Sequence, residues 1–182
     1  MATETGLTIR PCNADDIPAI TAIYRRAVAT GTASFEIDPP DEAEMTRRFE
    51  TLAAGNHPYL VAEHAEGLAG YAYAGLYRAR PAYRGTVENS VYVREDQHGR
   101  GIGRALLDAL LHEAERRGFR QMIAVIGDSG NHASIALHRG AGFEMVGTLR
   151  AVGWKHGRWL DTVLMQRALG PGDTTPRDSP TA

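Results

Sequence analysis

The residues best suited to chemistry in this 182-residue chain lie between Arg78 and Arg104. Positions 91–104 read Val91-Tyr92-Val93-Arg94-Glu95-Asp96-Gln97-His98-Gly99-Arg100-Gly101-Ile102-Gly103-Arg104, passing from an apolar strand pattern through glycines into a helical repeat. Glycines let the backbone approach a ligand closely, and the free N–H groups of a helix's first turn favour a phosphate. Arg100 and Arg104 add positive charge. Two nucleotide motifs are excluded, because the dinucleotide fingerprint needs a third glycine where Arg104 stands and the P-loop needs a closing Gly-Lys-Ser/Thr. Upstream, Arg78, Arg80 and Arg84 set guanidinium groups in a stretch without an acid, a pattern that forks a carboxylate or simply makes a solvated face. Glu88 could take a proton from an amine, although by spacing alone it reads as an ordinary strand glutamate, and Ser90 shares its face by two-residue alternation.

Further along, His138 is a group that donates a proton near neutral pH, or a helix histidine packed against a ligand. Asn131 and Ser134 stand at the start of the same helical stretch, where capping is the bland expectation. The 7 histidines form no His-x-x-x-His pair and the lone Cys12 has no partner, so no catalytic metal is expected.

Elements that must position these groups follow from periodicity and punctuation. A short strand at 7–10 precedes a helix capped by Asn13 or Asp15, with Ile17, Ile20, Ile23, Tyr24 and Ala27 at helical spacing and Gly31 closing it. Pro39-Pro40 forbids helix, and Asp41 caps a second one running to about 54. Strands at 59–62 and 70–74 flank the turn 63–67, and another strand covers 86–94. The clearest helix spans 102–117, where Ile102, Leu106, Leu110 and Ala114 recur every four residues and Gly118 follows. A buried strand at 122–126, a helix at 132–139 and strands at 143–149 and 162–166 complete a mixed α/β domain. Residues 154–159, Trp-Lys-His-Gly-Arg-Trp, suit a turn between the last strands or part of a dimer surface.

Composition bounds the rest. With 20 Lys+Arg against 22 Asp+Glu the net charge is −2, which offers no global reason to bind nucleic acid or an anionic membrane. No apolar run approaches a membrane span, and residues 1–6 lack the basic and apolar regions of a signal peptide, so the expected location is cytoplasmic. One domain is expected over 1–169, followed by a tail at 170–182 without apolar periodicity that is expected to be disordered.

The glycine turn resembles the acetyl-CoA pyrophosphate loop of the GCN5-related N-acetyltransferases, the GNAT superfamily, whose pattern is Gln or Arg, two residues, Gly, one residue, then Gly or Ala. Gly101 and Gly103 match, and His98 stands at the Gln/Arg position. Residues 77–93, 133–143 and 152–161 are similar to the phosphinothricin and methionine sulfoximine acetyltransferase branch, and the likeness runs from Ile9 to Leu169. It implies an α/β fold with a central, mostly antiparallel, splayed sheet flanked by helices. It further implies acetyl-CoA as co-substrate, no metal, a homodimer, and direct transfer of acetyl in a ternary complex to the α-amine of a small amino-acid analogue such as phosphinothricin, methionine sulfoximine or methionine sulfone. Alternatives on the same fold are a peptide or protein amino-terminal acetyltransferase, one acting on another amine, or a non-catalytic acyl-CoA-binding module.

The resemblance also implies roles. Val91, Tyr92 and Val93 would meet the pantetheine arm, with a backbone N–H near Val91 polarising the carbonyl. Gly99, Arg100, Gly101, Ile102, Gly103 and Arg104 would cradle the pyrophosphate, assisted elsewhere on the cofactor by Asn131 and Ser134. Glu88 would act as general base and His138 as proton donor to the thiolate. Phe35, Arg78, Ala79, Arg80, Tyr83, Asn89 and Ser90 would join Glu88 around the acceptor.

Overall fold

A computed structural model describes residues 6–176. Strand β1 (Thr8–Pro11) leads through a short turn of 3-10 helix into α1 (Ile17–Thr30), and α2 (Glu42–Ala54) follows. Then come β2 (Tyr59–His64), β3 (Gly67–Leu76), β4 (Thr86–Val93), α3 (Ile102–Arg116), β5 (Gln121–Gly127), α4 (His132–Gly140), β6 (Glu144–Lys155) and β7 (Arg158–Ala168). They form one seven-stranded sheet in the order β1-β2-β3-β4-β5-β7-β6. Every neighbouring pair is antiparallel except β4 with β5.

Local chemistry explains where the helices begin and end. Asn13, rather than Asp15, starts the first helical turn: its side chain accepts from the Asp15 N–H while Asp16 accepts from the Asn13 N–H, a reciprocal capping box. Asp41 caps α2 by accepting from the Glu44 N–H at 2.8 Å. Gly118, just past α3, has φ +82, a conformation that a side chain would disfavour.

The sheet is covered on both faces. On one, Leu106, Leu107 and Leu110 of α3 pack on Val87, Met122, Ala124, Val163 and Met165. On the other, Ile17, Ile20, Ile23, Tyr24 and Val28 of α1 and Met45 of α2 pack on Tyr59, Val61 and Tyr71. Burying each of the larger side chains stabilises the fold by about 1.5–3 kcal/mol. Arg10 ties three elements together, donating to Asp16 at 2.8 Å and to Glu63 at 2.7 Å.

The last two strands are much longer than their apolar runs indicate. They meet at His156 (φ 49) and Gly157 (φ 72), a two-residue turn whose positive dihedrals match the twist of a hairpin, so 154–159 includes a turn. Their reach was hidden because β6 is largely exposed and its register shifts between Leu149 and Gly153, around Ala151 with φ 52. Of the stretch expected to be a disordered tail, residues 170–176 turn back on the domain. Arg120 donates to the carbonyls of Gly172 and Thr175 at 3.1 and 2.8 Å. Residues 177–182 lie outside the described residues, as do 1–5 of the segment examined for a signal peptide.

Tyr71 is fully buried among Tyr59, Tyr73 and Tyr92, yet its hydroxyl has no hydrogen-bond partner among the described residues. Tyr71→Phe removes that group without emptying the site. Urea unfolding of this variant is expected to show stability unchanged or raised by up to about 1 kcal/mol, whereas a clear loss would reveal a bonded hydroxyl.

Candidate active site

The site grows from one break in the sheet. Strand β4 pairs with β5 only over Thr86–Asn89, and beyond Asn89 the two parallel strands separate. The bonds from the Arg94 N–H to the Ala69 carbonyl and from the Tyr77 N–H to the Thr86 carbonyl set the alternation against β3. In an antiparallel ladder every second residue then bonds the neighbour, which assigns Glu88, Ser90 and Tyr92 to β3. The N–H and C=O of Val91 and Val93 therefore point to the open side of the fork. Those are the two positions expected to offer backbone contacts.

That open edge borders a cleft of about 1430 Å³. Val91, Tyr92 and Val93 form one wall, and Gly99, Gly101, Ile102, Gly103 and Arg104 form another. Gly99 and Gly101 have φ +75 and +79, so the chain turns there as only glycine does readily. Gly101 caps α3 without a side chain, leaving the N–H groups of the first turn facing outward as anion donors. Arg104 reaches the cleft while paired with Asp108 at 2.6 Å, whereas Arg100 is exposed and lies outside the lining. His98 also lines the cleft, and its Nε2 donates to the Val93 carbonyl at 2.9 Å, closing the end of β4. Tyr92 contributes only its ring, since its backbone pairs with β3 and its ring packs edge-on to Tyr24 at 5.0 Å.

Helix α4 supplies the opposite wall. Asn131 caps it, accepting from the Ser134 N–H at 3.2 Å, and both residues line the cleft. His138, one turn further on and 4% exposed, lies under the fork. Its Nδ1 donates to the Ser134 carbonyl at 2.8 Å, and its Nε2 faces Asn89 Oδ1 at 2.9 Å. Asn89 Nδ2 donates to the Ile123 carbonyl at 3.1 Å, so turning the amide over would set acceptors against acceptors. Both histidine bonds form together only when the ring carries two protons, while burial pulls its pKa below the ordinary histidine value. Burial thus favours the neutral ring, while the two acceptors favour the doubly protonated one.

Alternation sends Glu88 and Ser90 to the other face of the sheet. There Glu88 lies across from Gly75 and Ser90 across from Tyr73, and Leu52 of α2 packs over Gly75. Burial alone raises the pKa of Glu88, with no cation or donor acting on it, which makes it a better proton acceptor than a free carboxylate. Asn89, expected around the acceptor, has its side chain on the opposite face from Glu88, where it staples β4 to β5 and α4.

The remaining expected acceptor residues lie outside the lining of the cleft. Arg78, Ala79, Arg80 and Tyr83 lie on an exposed loop after β3, with the Arg78 guanidinium 5.2 and 5.9 Å from the ring centroids of Tyr77 and Tyr83. None of Arg78, Arg80 and Arg84 has a carboxylate partner among the described residues. Phe35 sits in the loop after α1 with its ring against Gly153. Reasoning from sequence missed α1 as a wall of the cleft, where Ala19, Ala22, Arg26, Ala27 and Thr30 line it. Their helical spacing, opposite the buried stripe of Ile17, Ile20, Tyr24 and Val28, was the available signal.

Comparison with known proteins adds a second line of information. Residues 9–164 match the family described as the acetyltransferase (GNAT) domain. The chain is 55% identical over 168 residues to a phosphinothricin N-acetyltransferase of Alcaligenes faecalis, covering 92% of this chain and 85% of the relative. It is 46% identical over 170 residues to an L-methionine sulfoximine/L-methionine sulfone acetyltransferase of Pseudomonas aeruginosa, covering 93% and 98%. Among solved structures it superposes with a TM-score of 0.93 on a GNAT superfamily phosphinothricin acetyltransferase from Sinorhizobium meliloti in complex with acetyl-CoA, at 48% identity and covering 96% and 95%.

The staple at the fork can be tested without any assay of activity. Asn89→Ala leaves His138 Nε2 and the Ile123 carbonyl without their partner, and chemical denaturation is expected to show a loss of about 1–3 kcal/mol. An unchanged stability would mean that neither bond forms in solution.

Proposed function

The chain belongs to the GNAT acetyltransferase family and is an acetyl-CoA-dependent N-acetyltransferase, and we propose that it acetylates the α-amine of small amino-acid analogues of the phosphinothricin, methionine sulfoximine and methionine sulfone type. The observation that carries this reading is the division of labour along β4. Successive residues present a backbone edge that no strand covers, its Val93 carbonyl bonded by His98, to the cofactor cleft and a lone, partly buried carboxyl to the opposite face.

When bound, acetyl-CoA supplies the acetyl group as a thioester. The residues positioned to hold it are the first-turn amides of α3 at the pyrophosphate and the open edge of Val91 and Val93 along the pantetheine. The Val91 N–H is the donor aimed where carbonyl negative charge would grow. Glu88 takes the proton from the acceptor ammonium, directly or through one water, because only the neutral amine attacks. The unpaired Arg78 and Arg80 fork the acceptor carboxylate, with Tyr83, Ala79, Ser90 and Phe35 around it. His138, holding its proton in the fork, is the source for the departing thiolate.

The protein is read as a homodimer joined through β6 and β7. Strand β6 runs for 12 residues at the edge of the sheet, and Met145, Val146, Leu149, Val152 and Trp154 on it are exposed, as is Trp159 on β7. A bare, apolar edge of this length invites a second copy. No helix among the described residues is long and apolar enough to cross a membrane, and a cytoplasmic location fits an enzyme that draws on acetyl-CoA.

Thiol release from acetyl-CoA tests the activity across phosphinothricin, methionine sulfoximine, methionine sulfone, polyamines and short peptides. Turnover is expected with the first three, and turnover only with polyamines or peptides would overturn the acceptor reading. Binding of acetyl-CoA with no thiol release from any amine would leave a binding module. In the same assay Glu88→Gln should lower kcat by roughly 10²–10⁴-fold with acetyl-CoA affinity kept. Wild-type kcat/KM should rise with pH as the Glu88 carboxyl, whose pKa burial has raised, loses its proton, and that step should be missing from the variant.

For the dimer, light scattering at micromolar concentration should give twice the chain mass, and Trp154→Lys should shift it towards one. A wild-type monomer would sink this reading.

A further inference from the structure

The segment 31–36 has no regular structure, and only its first residues border the cofactor cleft. Gly31, Thr32 and Ala33 line the cofactor cleft, and Phe35 stands on the acceptor side against Gly153. Its two halves are anchored by different groups. The cleft half is held by Thr32, whose hydroxyl donates to Asp128 Oδ2 at 2.9 Å, and by a bond from His156 Nε2 to the Gly31 carbonyl at 3.2 Å. Arg158 neutralises the same Asp128 carboxylate.

The other half is held at its backbone by Lys155 and at its side chains by Tyr24 and Arg48. Lys155 Nζ donates to the Ser34 carbonyl at 2.8 Å, while the Ser34 hydroxyl meets the Tyr24 hydroxyl at 2.9 Å and Tyr24 donates to Glu36 at 2.8 Å. Lys155 is only 4% exposed and has no carboxylate within ion-pair distance among the described residues. Glu36, whose charge Lys155 feels, is already bonded by Arg48 at 2.7 Å. Burying an ammonium against a single neutral carbonyl is unfavourable, and a hydroxyl or amide could bond that carbonyl with less desolvation. A lysine persists where its length and charge do something more. Lys155 shares its sheet face with Gly153, two residues before it, and so with the Phe35 ring that rests there.

We propose that Lys155 is a positioning residue for the acceptor: by holding the Ser34 carbonyl, its ammonium keeps Phe35 lying against Gly153 and so sets the fit of the acceptor independently of the cofactor. This rests on the N-acetyltransferase reading with a small amino-acid acceptor. The separate anchors of the segment make the effect one-sided, because releasing Ser34 leaves the Thr32 and Gly31 contacts in place.

Steady-state kinetics of the full chain separate the alternatives, with the wild type's best acceptor as reference. Lys155→Met is expected to raise the acceptor KM by roughly tenfold, with kcat and the KM for acetyl-CoA changed by no more than about twofold. Lys155→Arg, which keeps a cationic donor, should recover most of the loss. Gly153→Ala reaches the same ring from the other side, since a methyl group there would run into Phe35, and should raise the acceptor KM alone with Lys155 intact. The proposal is overturned if the acetyl-CoA KM climbs in step with that of the acceptor, or if the acceptor KM stays at the wild-type value in Lys155→Met. Should Lys155→Met not fold, an unchanged acceptor KM in Gly153→Ala overturns it equally. A wild-type chain that turns over no small amino-acid acceptor defeats the functional reading and this inference with it. Normal wild-type turnover with unaffected variants defeats this inference alone.

Discussion

The pairing of β4 with β5 stops after Asn89, and the rest of the site depends on that stop. A parallel ladder continued to Val93 would consume the backbone groups of Val91 and Val93, and the cleft would be a closed sheet. The strands are parted and still held because Asn89 bonds the Ile123 carbonyl on β5 and His138 on α4 at the last paired position. A buried amide whose donor and acceptor are both used resists both closing and opening further, since either movement would leave polar atoms unsatisfied. The fork is therefore fixed by the chain's own side chains.

Strand geometry then distributes the chemistry. Two-residue alternation gives β4 a face towards α3 and α4, where Val87 and Asn89 are buried, and an opposite face, where Glu88 and Ser90 stand. The edge-on alternation of hydrogen bonds adds a third direction, into the cleft. Three kinds of contact thus come from eight consecutive residues, Thr86–Val93, without any loop having to carry them. A strand holds such groups through its ladder, and the segment 31–36, which has no ladder, is tied down by distant side chains instead.

Charge in the site follows burial. Glu88 is raised by loss of water alone, and His138 is pulled the other way by the same loss while two acceptors ask it to keep its protons. The arginines between β3 and β4 remain solvated and free of carboxylates, which suits a substrate that must arrive and leave. A net charge of −2 conceals this arrangement, because the arginines at 78, 80 and 84 have no acid beside them among the described residues, whereas those of the cleft are paired, as in Arg104 with Asp108, and Arg10 is paired with Asp16 and Glu63.

What the sequence determined by itself is local. Capping side chains and apolar repeats specify α1 to α4 within a residue or two, because a helix is stabilised by neighbours three and four positions away. The glycine turn before α3 and the face shared by Glu88 and Ser90 follow from equally short-range rules, and the same alternation already sets Asn89 on the opposite side. Tertiary structure decided what depends on segments far apart. The small-residue face of α1 becomes a wall only when α3 and α4 are brought opposite, and β6 is long because β7 pairs with it despite little burial. Lys155 reads as a solvated strand-end charge until Ser34, 121 positions earlier, is folded over it. Burial and hydrogen bonding are properties of the meeting of two surfaces, and a linear pattern records only one of them at a time.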